Sequence, residues 1–432
     1  MLKKVLGTFV TRIICSLLTF VIVVLNSNFF GADGVGTIGL FILNVTILQI
    51  LSSFVGGPSL VYMLPRHNNF QLIVLSYLFS ILTNCLGTFI LYVTNFISVE
   101  FVWHLFVTAL FFTFYYINSL VLLSKENIKI YNFLALLQIC LHLGILLFFI
   151  FVLNMKTVSS YIYAYGISYF ISFIISSFFV LKKITIGNFD NLFSLFKKMF
   201  KYGVVIQSAN LAQLLNYRLS YYIIEFLVGR KPLGLFDLGT KLSEAIWIFP
   251  KSISTVQYAR ISNCKDNNFY AKKITLAFLK ITVIFALIAT IILLCIPAQW
   301  LGWIFGNEFI ESKPVFYALG FGIVMLSGNI ILANYFSGLG KYRINTIGSI
   351  IGLIVTGTLS ILLIFTHKQF STMNIIFLAG IISSLSYSAS LIYSFIRFKK
   401  DTNLKIKEII ITRQDISMAK EIFSSLNKRA RN

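Results

Sequence analysis

Acidic residues are scarce in this chain: 14 Asp and Glu in 432 residues, and charge of either sign reaches only 12%. Soluble domains carry roughly 25% charged residues. A water-facing surface built from so few charges would leave large apolar patches exposed. The five cysteines (Cys15, Cys85, Cys140, Cys264 and Cys295) are scattered, with no disulfide or metal-ligand spacing. The four histidines (His67, His104, His142 and His367) form no HExxH motif, and the chain has neither a P-loop nor a nucleophile elbow. These absences exclude a zinc hydrolase, an α/β-hydrolase and ATP as an internal energy source, and no enzyme is expected. What is abundant is apolar: 58% of residues are hydrophobic. Hydrocarbon solvates such side chains, and a span needs roughly 20 of them in a row. Such runs recur from end to end.

The spacing predicts twelve spans near 7–28, 36–63, 70–95, 101–123, 131–153, 158–181, 202–228, 234–258, 274–297, 314–337, 344–366 and 372–397. The fold class is therefore an all-α membrane protein. Met1-Leu2-Lys3-Lys4 starts like a signal peptide, but the apolar run is long and holds Arg12, so a retained first helix is expected. The basic excess, 36 Lys and Arg, belongs to loops facing anionic lipid rather than to nucleic acid. With the N-terminus in the cytoplasm, 28 of the 36 fall on the cytoplasmic side, 5 on the outer side and 3 inside spans. That predicts both termini inside.

Two outer turns repeat. Gly31–Gly36 and Gly229–Gly234 each hold glycines five apart, and the second lies 198 residues after the first. Six spans separate them, which predicts a parallel repeat of two six-helix bundles about a central cleft. The expected domains are 1–181, a basic cytoplasmic linker 182–201, 202–397, and a basic tail 398–432.

Charges inside spans are costly, about 2.5–3.5 kcal/mol each at the bilayer centre. Span eight carries Asp237, Lys241, Glu244 and Lys251 on one helical face. Span seven carries Gln207, Asn210, Arg218, Tyr221 and Glu225; span one carries Arg12, Ser16, Thr19 and Asn26. Two roles compete. In the structural one, Lys241 pairs with Asp237 or Glu244, and Arg218 with an acid such as Glu225. In the functional one, Arg12, Arg218 and Lys241 line the cleft and attract an anion, for which the arginine fork suits phosphate. Tyr217, Tyr221 and Tyr222 are candidates for stacking on sugars, and Glu225, Asp237 and Glu244 are candidate coupling acids. Lys251 lies nearer the cytoplasm, where snorkelling explains it. Gly56-Gly57-Pro58 and Pro250 predict helix breaks. His142, mid-span, predicts an interhelical hydrogen bond ahead of a proton relay.

Thr11-Arg12, the run from Phe29 through Gly31, Gly36 and Gly39 to Phe41, then Tyr202-Gly203, Arg218, Val228-Gly229, Leu233 through Phe236, Lys241-Leu242 and Trp303 through Phe309 together resemble the polysaccharide transporter, or O-antigen flippase (Wzx-type), branch of the multidrug/oligosaccharidyl-lipid/polysaccharide (MOP) exporter superfamily. The resemblance implies a flippase in the bacterial plasma membrane for undecaprenyl-pyrophosphate-linked oligosaccharide units, working by alternating access. It implies surface polysaccharide synthesis (O-antigen, capsule or exopolysaccharide), with a polymerase and chain-length proteins as partners. Arg12, Arg218 and Lys241 match the family's cavity cations. No cofactor is implied beyond coupling to a proton or cation gradient. Leu359-Ser360-Ile361 and Phe370-Ser371-Thr372-Met373 depart from the family's pattern in the last two spans. The rival readings are a multidrug exporter of the same superfamily, a membrane polymerase or ligase acting on lipid-linked glycans, and a lipid II–type flippase.

Overall fold

The computed structural model describes residues 2–64, 69–125, 127–182, 191–263, 268–405 and 408. Lys183 of the basic stretch 182–201, and the tail beyond Glu408, lie outside the described residues. Among the described residues the regular elements are all helices. Helix α1 runs Leu2–Gly56, followed by α2 (Pro58–Met63), α3 (Asn69–Val93), α4 (Val102–Ser124), α5 (Ile128–Leu147), α6 (Val158–Leu181) and α7 (Leu192–Val228). Then come α8 (Arg230–Glu244), α9 (Ile248–Asn263), α10 (Asn268–Cys295), the short α11 (Ala298–Phe305), α12 (Lys313–Gly338), α13 (Tyr342–Thr366) and α14 (Thr372–Thr402).

Nine helical segments among the described residues are long and apolar enough to cross a membrane. The first, Val10–Gly56, is folded at Gly31 and makes two crossings. Helix α7 and the α8–α9 pair, which hold the intramembrane charges and are less apolar, bring the total to about twelve. At 37 residues α7 is about 55 Å long, well beyond a hydrocarbon core of about 30 Å. Its first turns, with Lys197, Lys198 and Lys201, therefore project past one membrane face.

The two glycine-rich hexapeptides are not the six-residue turns that their composition predicts. In each, a single residue leaves the helical region: Gly31 at φ 64, ψ −172 and Gly229 at φ 87, ψ −170. The next helix starts at once, because the residues after each glycine are compatible with helix and lipid offers no other partner for their backbone groups. Both hinges use the same backbone region, which glycine alone enters freely, and they recur at the same 198-residue offset. A Cβ on Gly229 would meet nothing within 4 Å, so replacing it costs strain and no clash. Gly229→Ala is expected to destabilise the fold by about 1–3 kcal/mol. Gly229→Asn should be no milder, since this is not the left-handed helical region that Asn tolerates. Thermal melting of the purified variants checks both.

The predicted helix breaks are present. Helix α1 stops at Gly56, Gly57 turns the chain, and Pro58 opens α2. Before Pro250, a tight turn over Ala245–Trp247 separates α8 from α9, as expected where a proline withholds an N–H.

The chain divides into two compact units, one ending at Leu211 and the other starting at Ala212, inside α7. The first has two buried apolar clusters. One centres on Val55, Leu72, Ile117, Val121 and Met199; the other centres on Ile38, Phe41, Leu105, Leu146 and Ile162. Neutral hydrogen bonds tie its helices together. Tyr77 donates to Asn118 Oδ1 (2.6 Å), Asn118 donates to Ser176 and Ser177 (both 3.0 Å), and Asn84 donates to Ser52 (3.1 Å). The second unit is built around α12, 72% of whose most apolar stretch is buried. At one end of this unit Glu408 accepts from Lys272 (2.8 Å), which holds its carboxyl below the usual range. In the same unit Asp401 takes the Tyr335 hydroxyl and the Lys341 ammonium.

Candidate functional site

In the second unit, α7 and α8 bring four intramembrane charges into one connected network. Arg218 presents its planar fork to Glu244: Nη1 donates to Oε1 at 2.9 Å and Nη2 to Oε2 at 2.7 Å. The same Nη1 donates to the Tyr221 hydroxyl at 3.2 Å, which in turn donates to Asp237 Oδ1 at 2.7 Å. Lys241 donates to the other Asp237 oxygen at 2.6 Å, one helical turn away on α8. Two bases and two acids thus neutralise each other, with Tyr221 joining the two pairs. Asp237 is 1% exposed, whereas Lys241 keeps 30%, Arg218 21% and Glu244 18%. Lys241 is the most open member of the network, Arg218 and Glu244 are similarly half-buried, and the Asp237 carboxylate is its buried anchor.

The pairing differs in one respect from the sequence expectation. Arg218 pairs with Glu244, not with Glu225. Seven residues of helix separate Arg218 from Glu225, about 10 Å along the axis and beyond a direct bond. Glu225 is instead taken by Arg230 (3.2 Å), which the Gly229 hinge turns back toward it. Lys241 pairs with Asp237, one of its two expected partners. Tyr221 is 2% exposed and its ring packs edge-on against Phe236, so protein covers it in this conformation. Tyr217 and Tyr222 are half-buried.

Two further aromatics belong here. Trp247 and Tyr387 form a triangle with Tyr217, with ring centres 5.5 to 5.9 Å apart. Lys251 lies over the Trp247 ring at 5.6 Å. Trp247 had a legible signal, being three residues after Glu244 on the same helical face. Tyr387 had none, since only the fold brings α14 beside α7.

Arg12 belongs to the first unit and is exposed on α1. Ser16 and Thr19 bond back to carbonyls of their own helix, and Asn26 is buried. His142 does not make the expected interhelical hydrogen bond through Nε2, which has no partner. Its ring packs edge-on against Tyr161 (4.8 Å) and Tyr165 (5.2 Å).

The repeat sharpens the meaning of the network. The positions 198 residues before Arg218, Asp237, Lys241 and Glu244 are Phe20, Gly39, Leu43 and Thr46. The first unit builds the same hinge with no ion pair among its described residues. A hinge of this geometry therefore forms without such charges, and no group of His, Cys, Asp or Glu able to hold a metal occurs among the described residues.

No protein-family model matches the chain. The capsular polysaccharide biosynthesis protein CapF of Staphylococcus aureus is 23% identical over 202 residues, 46% of this chain. That match spans 51% of the relative, about half its length. Solved structures share the fold across nearly the whole chain. An inward-facing multidrug resistance transporter of the MATE family in the MOP superfamily gives a TM-score of 0.67 at 12% identity, covering 90% of this chain and 96% of that one. Its outward-facing counterpart gives 0.65 at 13%, covering 94% and 97%. The lipid II flippase MurJ, inward closed, gives 0.65 at 15%, covering 93% and 89%. The protein is a multi-pass membrane protein with the all-α fold of MOP superfamily transporters.

Proposed function

We propose that the protein is a flippase for lipid-linked oligosaccharide units, carrying an undecaprenyl-pyrophosphate-linked glycan across the bacterial plasma membrane for surface polysaccharide synthesis. The observation that carries this reading over drug export is the likeness to a capsular polysaccharide biosynthesis protein, joined to a fold that also serves a lipid II flippase. The fold alone suits both activities. The site adds chemistry: a pyrophosphate is an anion with the geometry of the arginine fork, and Arg218 and Lys241 are the most open members of a charge-balanced network.

In this reading the incoming pyrophosphate replaces Glu244 on Arg218 and draws Lys241 from Asp237. The released carboxylates, Glu244 and Asp237, then become the coupling acids by taking up protons or a cation. Glu225, held by Arg230 outside the network, has the smaller claim. Arg12 of the first unit is a further candidate for the anion. Both termini lie in the cytoplasm, and a polymerase consumes the delivered unit.

The test is reconstitution of the full chain into vesicles with a fluorescent undecaprenyl-pyrophosphate-linked oligosaccharide in one leaflet. Accessibility of the fluorophore to quencher in the other leaflet should rise far faster than in empty vesicles, and the paired variant Lys241→Met with Asp237→Asn, which leaves no buried carboxylate unpaired, should slow it by about tenfold or more, the scale of one lost charge-assisted contact. Extrusion of a lipophilic cationic dye with no movement of the glycan lipid would move the assignment to drug export.

A further inference from the structure

Lys251 is a fifth charge beside the network, and the one that the pairing leaves over. Arg218 is neutralised by Glu244 and Lys241 by Asp237. Lys251 stands seven residues after Glu244, is exposed, and forms no ion pair with any described residue. Its ammonium lies 5.6 Å from the centre of the Trp247 ring, four residues back along the chain. That ring is a fixed support. Trp247 is 2% exposed, its Nε1 donates to the Ile323 carbonyl oxygen at 3.3 Å, and it packs against Tyr217 and Tyr387.

A position near the cytoplasm predicts snorkelling, with the ammonium reaching on along the helix to the nearer headgroups. The structure shows the other direction. The side chain turns back over Trp247, on the side of Glu244, and both Glu244 and Arg218 act on it electrostatically. An indole face holds a cation weakly at an exposed site, so the lysine is placed without being neutralised. An unpaired ammonium inside a span is costly, and an arriving anion offsets that cost without breaking an existing pair. At Arg218 or Lys241 the same anion must first displace a carboxylate.

We infer that Lys251 is the anchoring cation at which a phosphate or pyrophosphate anion first enters the site, held ready for that contact by Trp247. The identity of the anion and its direction of approach rest on the flippase reading. In that orientation α9 leads to the cytoplasmic face, and Lys251 lies about 10 Å nearer to it than Glu244 does. The headgroup therefore meets the unpaired lysine before the paired arginine. The two cations suit that order. An ammonium is a point charge that takes a phosphate oxygen from many directions, whereas the arginine fork demands one orientation.

Two measurements on the full chain test this role. The first is equilibrium dialysis of the detergent-purified protein against radiolabelled inorganic pyrophosphate at low ionic strength. Lys251→Gln should weaken binding about tenfold, the scale of one charge-assisted contact, and Lys251→Arg should bind like the wild type. Neither variant takes a partner from an acid, so both should melt within a few degrees of wild type. The second is the vesicle assay, in which Lys251→Gln should raise the half-saturating concentration of the glycan lipid about tenfold. Pyrophosphate binding that is absent in the wild type, or equal in Lys251→Gln, overturns the anchoring role, and flipping by the same preparations would leave the flippase reading standing. Binding that depends on Lys251 in a protein that moves no glycan lipid supports the anion site and removes the flippase reading. Binding lost in Lys251→Gln with half-saturation unchanged would make this a site for free phosphate, and overturns its part in capturing the glycan lipid.

Discussion

Arg218→Ala is expected to destabilise the second unit by about 3–5 kcal/mol, the cost of leaving a buried carboxylate without its partner. For a unit of this size that corresponds to roughly 6–20 °C in melting temperature. The cause is Glu244, which accepts two of the guanidinium's three hydrogen bonds and is 18% exposed within a membrane-spanning helix. Loss of transport in this variant alone therefore separates nothing, because the protein would also lose structure. The discriminating variant is the charge-balanced double, Arg218→Leu with Glu244→Leu. Replacing a buried pair by apolar side chains of similar volume is often neutral or stabilising. The double variant should melt near the wild-type temperature and still fail to move a pyrophosphate-linked glycan. Wild-type flipping by a stable double variant would reduce the pair to a structural role. Melting curves and the vesicle assay, run on the same preparations, decide it.

Gly203→Ala is the second large effect. A Cβ at this position would stand 1.8 Å from the backbone carbonyl oxygen of Phe54. No rotamer change relieves a clash with backbone, so α7 and the end of α1 must separate. The contact is flanked by apolar packing of Phe54 against Phe200 and by the buried Met199. Opening it breaches the apolar cluster around Val55, Ile117 and Met199. A loss of about 3 kcal/mol or more is expected, at the upper end of overpacking costs. Gly203→Ala should express poorly and elute as aggregate in detergent gel filtration. A monodisperse variant melting within a few degrees of wild type would show that the two helices are not held this closely.

The twelve crossings were legible because lipid imposes one simple demand, a long apolar run with its backbone satisfied internally. The hinges at Gly31 and Gly229 were legible as a repeated glycine spacing, though not as single-residue kinks. Composition marks a turn, but how many residues leave the helix depends on whether the next ones are free to resume it. The shared face of Asp237, Lys241 and Glu244 also followed from helical periodicity. The partner of Arg218 did not. Choosing Glu244 over Glu225 requires knowing how α8 folds back on α7 after Gly229, and sequence distance favours the wrong acid. The same holds for Tyr387, which reaches Tyr217 and Trp247 only because α14 packs into the second unit.

By itself, then, the sequence determined the membrane-spanning all-α fold, the doubled hinge and the identity of the intramembrane charges. These depend on hydrophobicity and on helical period, both properties of residues close together along the chain. The tertiary structure alone decided which charges neutralise each other and which aromatic rings close around them. Those outcomes depend on contacts between residues far apart in the chain, and no local pattern encodes them.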